Sequence, residues 1–108
     1  MVTIGRTNRP HPDEWQGGMC RIFVGRPSTL GNPFKIGRDG DRNQVIEKYR
    51  AWLWQQVKAK DKVWQELKRL RLFLLQDQHL HLTCYCFPHK CHAEVIRSCL
   101  EWMIRTHQ

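Results

Sequence analysis

The chain has 108 residues, 41% of them hydrophobic, and a formal net charge of +8. That length suits one domain with one modest core. No apolar run reaches the ~20 residues a membrane-spanning helix needs, so no membrane partner is expected. The positive balance favours anionic partners, from nucleotides to nucleic acid, although the basic residues are scattered and form no stripe.

In chain order, residues 1–19 read as an irregular segment rich in Gly, Pro and Asn, with a short strand at Val2–Ile4. Residues 20–108 then read as a single α/β domain. Cys20–Val24 (CRIFV) is a short strand of β-branched and aromatic residues, stopped by Gly25. The loop that follows, GRPSTLGNPFKIGRDG, is long for so small a domain, and such connections are usually functional.

Asp41, with Gln44 three residues on, predicts a capping box opening a helix. Its buried face is expected to be Val45, Ile46, Tyr49, Trp52, Leu53 and Val57. Asp61 caps a second helix, with Val63, Trp64, Leu67, Leu70 and Leu74 on its apolar face, ending near Gln76. His79–Cys86 alternates loosely and reads as a strand ended by Pro88. The last helix is predicted over about Cys91 to Thr106. The result is a small sheet with at least one parallel strand pair and three helices, in a Rossmann-like βααβα order. In such sheets ligands bind beyond the carboxyl ends of the strands. Two loops follow strands here, Gly25–Phe34 and Cys84–His92, and parallel neighbours open both on one edge.

The five cysteines, Cys20, Cys84, Cys86, Cys91 and Cys99, are an odd number with three crowded together. The opening MVTIGRTNRPHPDE lacks the apolar core of an export signal, so a cytoplasmic chain with free thiols is expected. In CYCFPHKCH, zinc is one reading: Cys84, Cys86, His89 and Cys91 supply the right donors, although C-x-C-x4-C-H departs from the usual ligand spacing. Reactive-thiol or anion-binding chemistry is another. Cys91 sits where a helix N-cap belongs, and the free N–H groups there favour a thiolate or phosphate. Cys91 and His92 are the catalytic candidates; Glu94 completes a capping box with Cys91. Plain burial is the third reading, and it fits Cys99 best.

In GRPSTLGNPF, Gly25 and Gly31 permit close backbone approach, Asn32-Pro33 favours a fixed turn, and Arg26 suits phosphate or carboxylate. Ser28 adds a hydroxyl, and Arg38 is positioned to face the same site. Asp39 is the weak candidate for a general base. A packed Ω-loop over Leu30 and Phe34 is the structural alternative.

The pieces FVGRPSTLGNPF, KIGRDG, VIEKYRAWL and LTCYCFPHKCHAEVI resemble, in order, the family known as domain of unknown function 4326. The resemblance covers roughly residues 20–57 and 80–100. Tyr85 stands where that family often has Trp, and KRLRLFLLQDQH looks like a longer second helix. The resemblance implies phage or bacterial company and no assigned activity.

Three functions follow as expectations. The first is a small anionic, nucleotide-like ligand held by Gly25, Arg26, Ser28, Gly31, Asn32 and Arg38 on one wall and Cys86, Cys91 and His92 on the other. The second is a zinc-stabilised nucleic-acid module. The third is a phage or bacterial interaction or inhibitor protein, which an exposed Trp54 or Trp102 would favour.

Overall fold

The computed structural model describes residues 1–86 and 89–107. The elements run β1 (Val2–Arg6), β2 (Glu14–Gln16), β3 (Met19–Phe23), α1 (Arg42–Ala59), α2 (Lys62–Leu75), β4 (His79–Cys84) and α3 (Ala93–Thr106). Both expected caps form. Asp41 accepts from the Gln44 amide at 2.9 Å while the Gln44 side chain accepts from the Asp41 amide at 2.8 Å, and Asp61 accepts from the Lys62 amide at 2.7 Å. These bonds satisfy amides that a helix start leaves without intrahelical partners.

The four strands form one sheet in the order β1-β4-β3-β2. β1 and β3 both lie parallel to β4, with Ile4 and Ile22 flanking Leu82. β2 pairs antiparallel with β3. The α/β class with a parallel pair is as expected, but the sheet is larger. Residues 1–19 are not irregular: they carry two of its strands. β2 joins β3 through Gly17-Gly18, with Gly17 at φ +59°, a two-residue hairpin connection of the type that needs positive φ. The last strand is also shorter than expected, leaving the ladder at Cys84, so Cys86 belongs to the loop. The expected role of Pro88 as terminator lies outside the described residues.

Alternation decides the layers. Val2, Cys20, Ile22, Leu80, Leu82 and Cys84 share one face and are buried with the stripes of the three helices in one core. Leu67, Leu70, Leu80, Leu82, Ile96, Leu100 and Met103 have no exposed surface, each contributing about 1.5–3 kcal/mol by burial. The other face carries Thr3, Arg21, His79, His81 and Thr83. Thr3 Oγ1 lies 2.7 Å from both His79 Nε2 and His81 Nδ1, and His11 crosses over this face to reach Thr83 Oγ1 at 2.6 Å.

One buried bond ties the long loop to the helical layer. Tyr49, fully buried on α1, donates its hydroxyl to the Leu30 carbonyl at 2.7 Å. Tyr49→Phe removes the donor and leaves that carbonyl without it, which costs about 1–3 kcal/mol. Urea unfolding measures this loss; an unchanged midpoint would show that the loop does not depend on the bond.

Candidate functional site

The two suspect loops meet because β3 and β4 are parallel. The Val24 amide still donates to the Thr83 carbonyl at 2.9 Å, and immediately afterwards the chain leaves the sheet at Gly25. A Cβ at Gly25 would sit 2.7 Å from the Phe23 ring, so a larger residue there would have to displace that aromatic. The Arg26-Pro27 peptide is cis. Two turns then stack, Ser28 N–H on Gly25 O at 2.8 Å and Gly31 N–H on Ser28 O at 2.9 Å. A Cβ at Gly31 would press to 3.1 Å on backbone atoms of Arg26 and Ser28. Asn32 closes the loop: its Oδ1 accepts from the Phe34 amide at 2.9 Å and its Nδ2 reaches the Val45 carbonyl of α1 at 3.4 Å.

The second loop leaves β4 at Cys84 and re-enters α3. The regular helix begins at Ala93, which puts His92 in the cap position, but His92 already has helical dihedral angles and makes no side-chain capping bond. Cys91 nevertheless does the capping: its Sγ accepts from the Ala93 amide at 3.3 Å, and its own amide donates to Glu94 Oε2 at 3.3 Å. The amides expected to meet an anion are therefore already engaged. His92 is buried, and its Nε2 lies 2.6 Å from the Val24 carbonyl. A carbonyl only accepts, so Nε2 carries a proton, and burial, which lowers the imidazole's pKa, favours the neutral ring with Nδ1 as an acceptor. The imidazole thus latches the start of α3 to the end of β3, with Tyr49 edge-on at 5.0 Å.

Between the loops lies a cavity of about 310 Å³, within the range of small-ligand sites. Of the residues expected to form it, Gly25, Arg26, Asn32, Cys86, Cys91 and His92 line it. Arg26 and Cys91 thus share one cavity. Ser28 and Arg38 do not line it, and Gly31 acts from beneath, in the turns. The stacked turns bury Ser28 Oγ, which has no hydrogen-bond partner among the described residues. Arg38 points away, bonded to Asp39 and to the Pro33 carbonyl. Asp39 is no base for this site either: bonds from Arg38 and the Lys35 amide hold its carboxyl below the ordinary range.

The cavity also gathers residues that the motif reading passed over: Phe34, Lys35, Arg42, Tyr85 and Lys90. Arg26, Lys35, Arg42 and Lys90 make its lining cationic, and no Asp or Glu lines it among the described residues. Arg42 bridges the two walls, donating from Nη1 to the Lys90 carbonyl at 3.0 Å. It had only a weak sequence signal. It is the first residue of α1, and no acid stands in that helix's first turn, whereas the helix dipole favours acids there. α2 opens in the same way on Lys62, with no acid in its first turn, so the pattern alone does not single out Arg42.

At the cavity floor the thiols of Cys84 and Cys91 touch, Sγ to Sγ 2.9 Å. Hydrogen bonds from Cys84, Cys91 and Arg42 hold the Cys86 thiol well below the ordinary range, while its two sulfur neighbours and burial hold Cys91 well above it. His89, proposed above as a metal ligand, lines a second cavity together with Thr3, Ile4, Lys90, Cys91, Glu94 and Arg97. Among the described residues no group of three or more His, Cys, Asp or Glu is arranged to hold a metal ion.

The match to one family now has a structural frame. The family described as domain of unknown function (DUF4326) matches over residues 7–102. The chain belongs to the DUF4326 family. Both loops, and every residue named in the cavity, fall inside the DUF4326 span. Comparison with curated proteins and with solved structures finds no match. Among the described residues, no helix of this DUF4326 chain is long and apolar enough to cross a membrane.

The latch has a pH signature. Burial, above all, holds the His92 imidazole below its ordinary pKa of 6.5; burial, Arg21 and His79 do the same for His81. Unfolding lets both take protons, so the stability they contribute is present above pH 6.5 and is lost as pH falls toward the folded-state values. Urea midpoints should drop between about pH 7 and about pH 5, and His92→Asn should shrink that drop. The Cys86 thiolate has the same sign, so the difference between variant and wild type isolates His92. Parallel profiles would refute the neutral latch.

Proposed function

We propose that this domain binds a small anionic ligand of nucleotide-like chemistry in the cavity between the two loops. The observation that carries this reading is the lining: four cations, Arg26, Lys35, Arg42 and Lys90, without a facing carboxylate among the described residues. Unneutralised cations around a concave, partly apolar space favour a ligand that brings its own negative charge. Arg26 and Arg42 offer planar donor forks for a phosphate or carboxylate. Phe34 and Tyr85 add aromatic walls against which a planar ring packs. An odd number of cysteines, three of them crowded between residues 84 and 91, supports a reducing, cytoplasmic setting.

Isothermal titration with inorganic phosphate and with nucleoside monophosphates tests this. Saturable binding of a monophosphate, weakened at least about tenfold by Arg42→Gln or Arg26→Gln, is the expected outcome, since charge-assisted bonds are the strong ones and contribute about 1.5–3 kcal/mol each. Affinity untouched by both substitutions would sink the assignment.

One observation favours a second reading, an interaction protein. Trp54 on α1 is 46% exposed and stacks edge-on with Trp102 of α3 at 5.3 Å, beside an apolar groove of about 480 Å³. Light scattering over a concentration series tests whether that groove supports self-association, with Trp54→Ala as the control. A monomer at every concentration would leave this reading without support.

A further inference from the structure

We propose that two copies of this chain pair through the outer edge of β1, joining their four-stranded sheets into one, with the two α3 helices antiparallel across a two-fold axis. The inference goes beyond ligand binding. It rests on an open strand edge and on the order of the charges along the helix beside it.

β1 stands at one end of the sheet. The Leu80 amide donates to the Met1 carbonyl and the Thr7 amide to the Cys84 carbonyl, each at 3.0 Å. Met1, Thr3, Gly5 and Thr7 therefore turn their backbone groups toward β4. Alternation along a strand then points the N–H and C=O groups of Val2 and Ile4 outward. Among the described residues no backbone group pairs with them there. Proteins blunt such edges with short strands, prolines or charges. β2, at the other end of the sheet, is blunted by its length of 3 residues. β1 has 5, and its first four, Val2 to Gly5, include neither proline nor charge.

Two cavities flank that edge and place the axis. Thr3 and Ile4 share one with Glu94 and Arg97; Val2 shares the other with Glu101 and Arg105. The boundary between them falls at Val2–Thr3 on the strand and between Arg97 and Glu101 on α3. Along this flank α3 reads Glu94, Arg97, Glu101, Arg105, at spacings that keep all four on one face. The order is acid, base, acid, base. Turned end for end it becomes base, acid, base, acid. A two-fold at the boundary thus sets Glu94 against Arg105 of the second copy, and Arg97 against its Glu101. Among the described residues Arg97, Glu101 and Arg105 form no ion pair within the chain, while Glu94 gives one oxygen to the Cys91 amide.

The strand permits the same axis. Passing through Thr3, perpendicular to the sheet, it lays Val2 opposite Ile4 of the second copy, where the two exchange both N–H···O bonds of an antiparallel pair. Val2 and Ile4 face the core, so they meet the second copy's pair as an apolar seam beneath the helices. α3 packs on both β1 and β4. With strands ~4.8 Å apart, symmetry puts the two α3 axes about 10 Å apart, the separation of packed helices.

Sedimentation velocity of the full chain, from micromolar to millimolar concentration, tests this and should show a monomer–dimer equilibrium. Arg97→Glu or Glu101→Arg opposes like charges twice in a symmetric dimer. Each should raise the dimer's dissociation constant at least about tenfold, with circular dichroism unchanged. Combining the two substitutions sets acid against base again and should return the constant to within about threefold of the wild type. Hydrogen exchange supplies a reading without any substitution: the Val2 and Ile4 amides should be protected at high concentration and exposed on dilution. A monomer at every concentration would overturn the proposal. So would a dimer indifferent to both single substitutions, or one whose Ile4 amide exchanges freely. A dimer dissolved by Trp54→Ala and untouched at Arg97 would belong to the groove on the other flank of α3, and would overturn it too.

Discussion

The parallel alignment of β3 and β4 is the constraint on which the rest depends. Phe23 pairs with Thr83, and Val24 extends the ladder by one more bond. Strands that run the same way deliver their carboxyl ends to the same edge, so Gly25 and Tyr85 emerge side by side although about sixty residues of chain separate them. Had the pair been antiparallel, the glycine loop and the thiol loop would open on opposite edges. Parallel strands need a covering crossover, and α1 with α2 supplies it.

Alignment alone does not hold a cavity open. Three bonds between elements do: the His92 imidazole to the Val24 carbonyl, the Arg42 guanidinium to the Lys90 carbonyl, and the Tyr49 hydroxyl to the Leu30 carbonyl. Each joins a side chain on a helix, or at its cap, to a backbone carbonyl in one of the loops or at its edge. Backbone groups that leave a sheet need such partners, and meeting that need fixes the loops against a rigid support. The same bonds fix what the cavity offers chemically. His92 uses its one donor on the sheet, Cys91 uses its sulfur and amide on the helix start, and the cations and Cys86 are left facing inward.

Much of this was legible in the residues themselves. The capping box at Asp41, the cap at Asp61 and the stripes of the three helices are local patterns, and they reappear as caps and core. The pairing of two post-strand loops follows from strand order and parallel geometry. What escaped was decided partly by long-range contact and partly by how the chain winds locally. β2 is three exposed residues without alternation, and only the Gly17-Gly18 pair hints at its hairpin. Ser28 and Arg38 look like ligand groups because a loop's winding is not written in its composition; stacked turns bury one and Asp39 captures the other. His92 looks like a donor to an anion because its bond to Val24 spans 68 residues. Lys35, Arg42 and Lys90 looked like scattered solubilising charge, yet the fold gathers them with Arg26.

The claim that matters most is that two distant loops make one site. Amide NMR of the isotopically labelled protein, titrated with a nucleoside monophosphate, addresses it directly. Gly25, Arg26 and Asn32 from one loop and Cys86, Cys91 and His92 from the other should shift together along a single saturation curve. Shifts confined to one loop, or gathered instead around Trp54 and Trp102, would contradict the account.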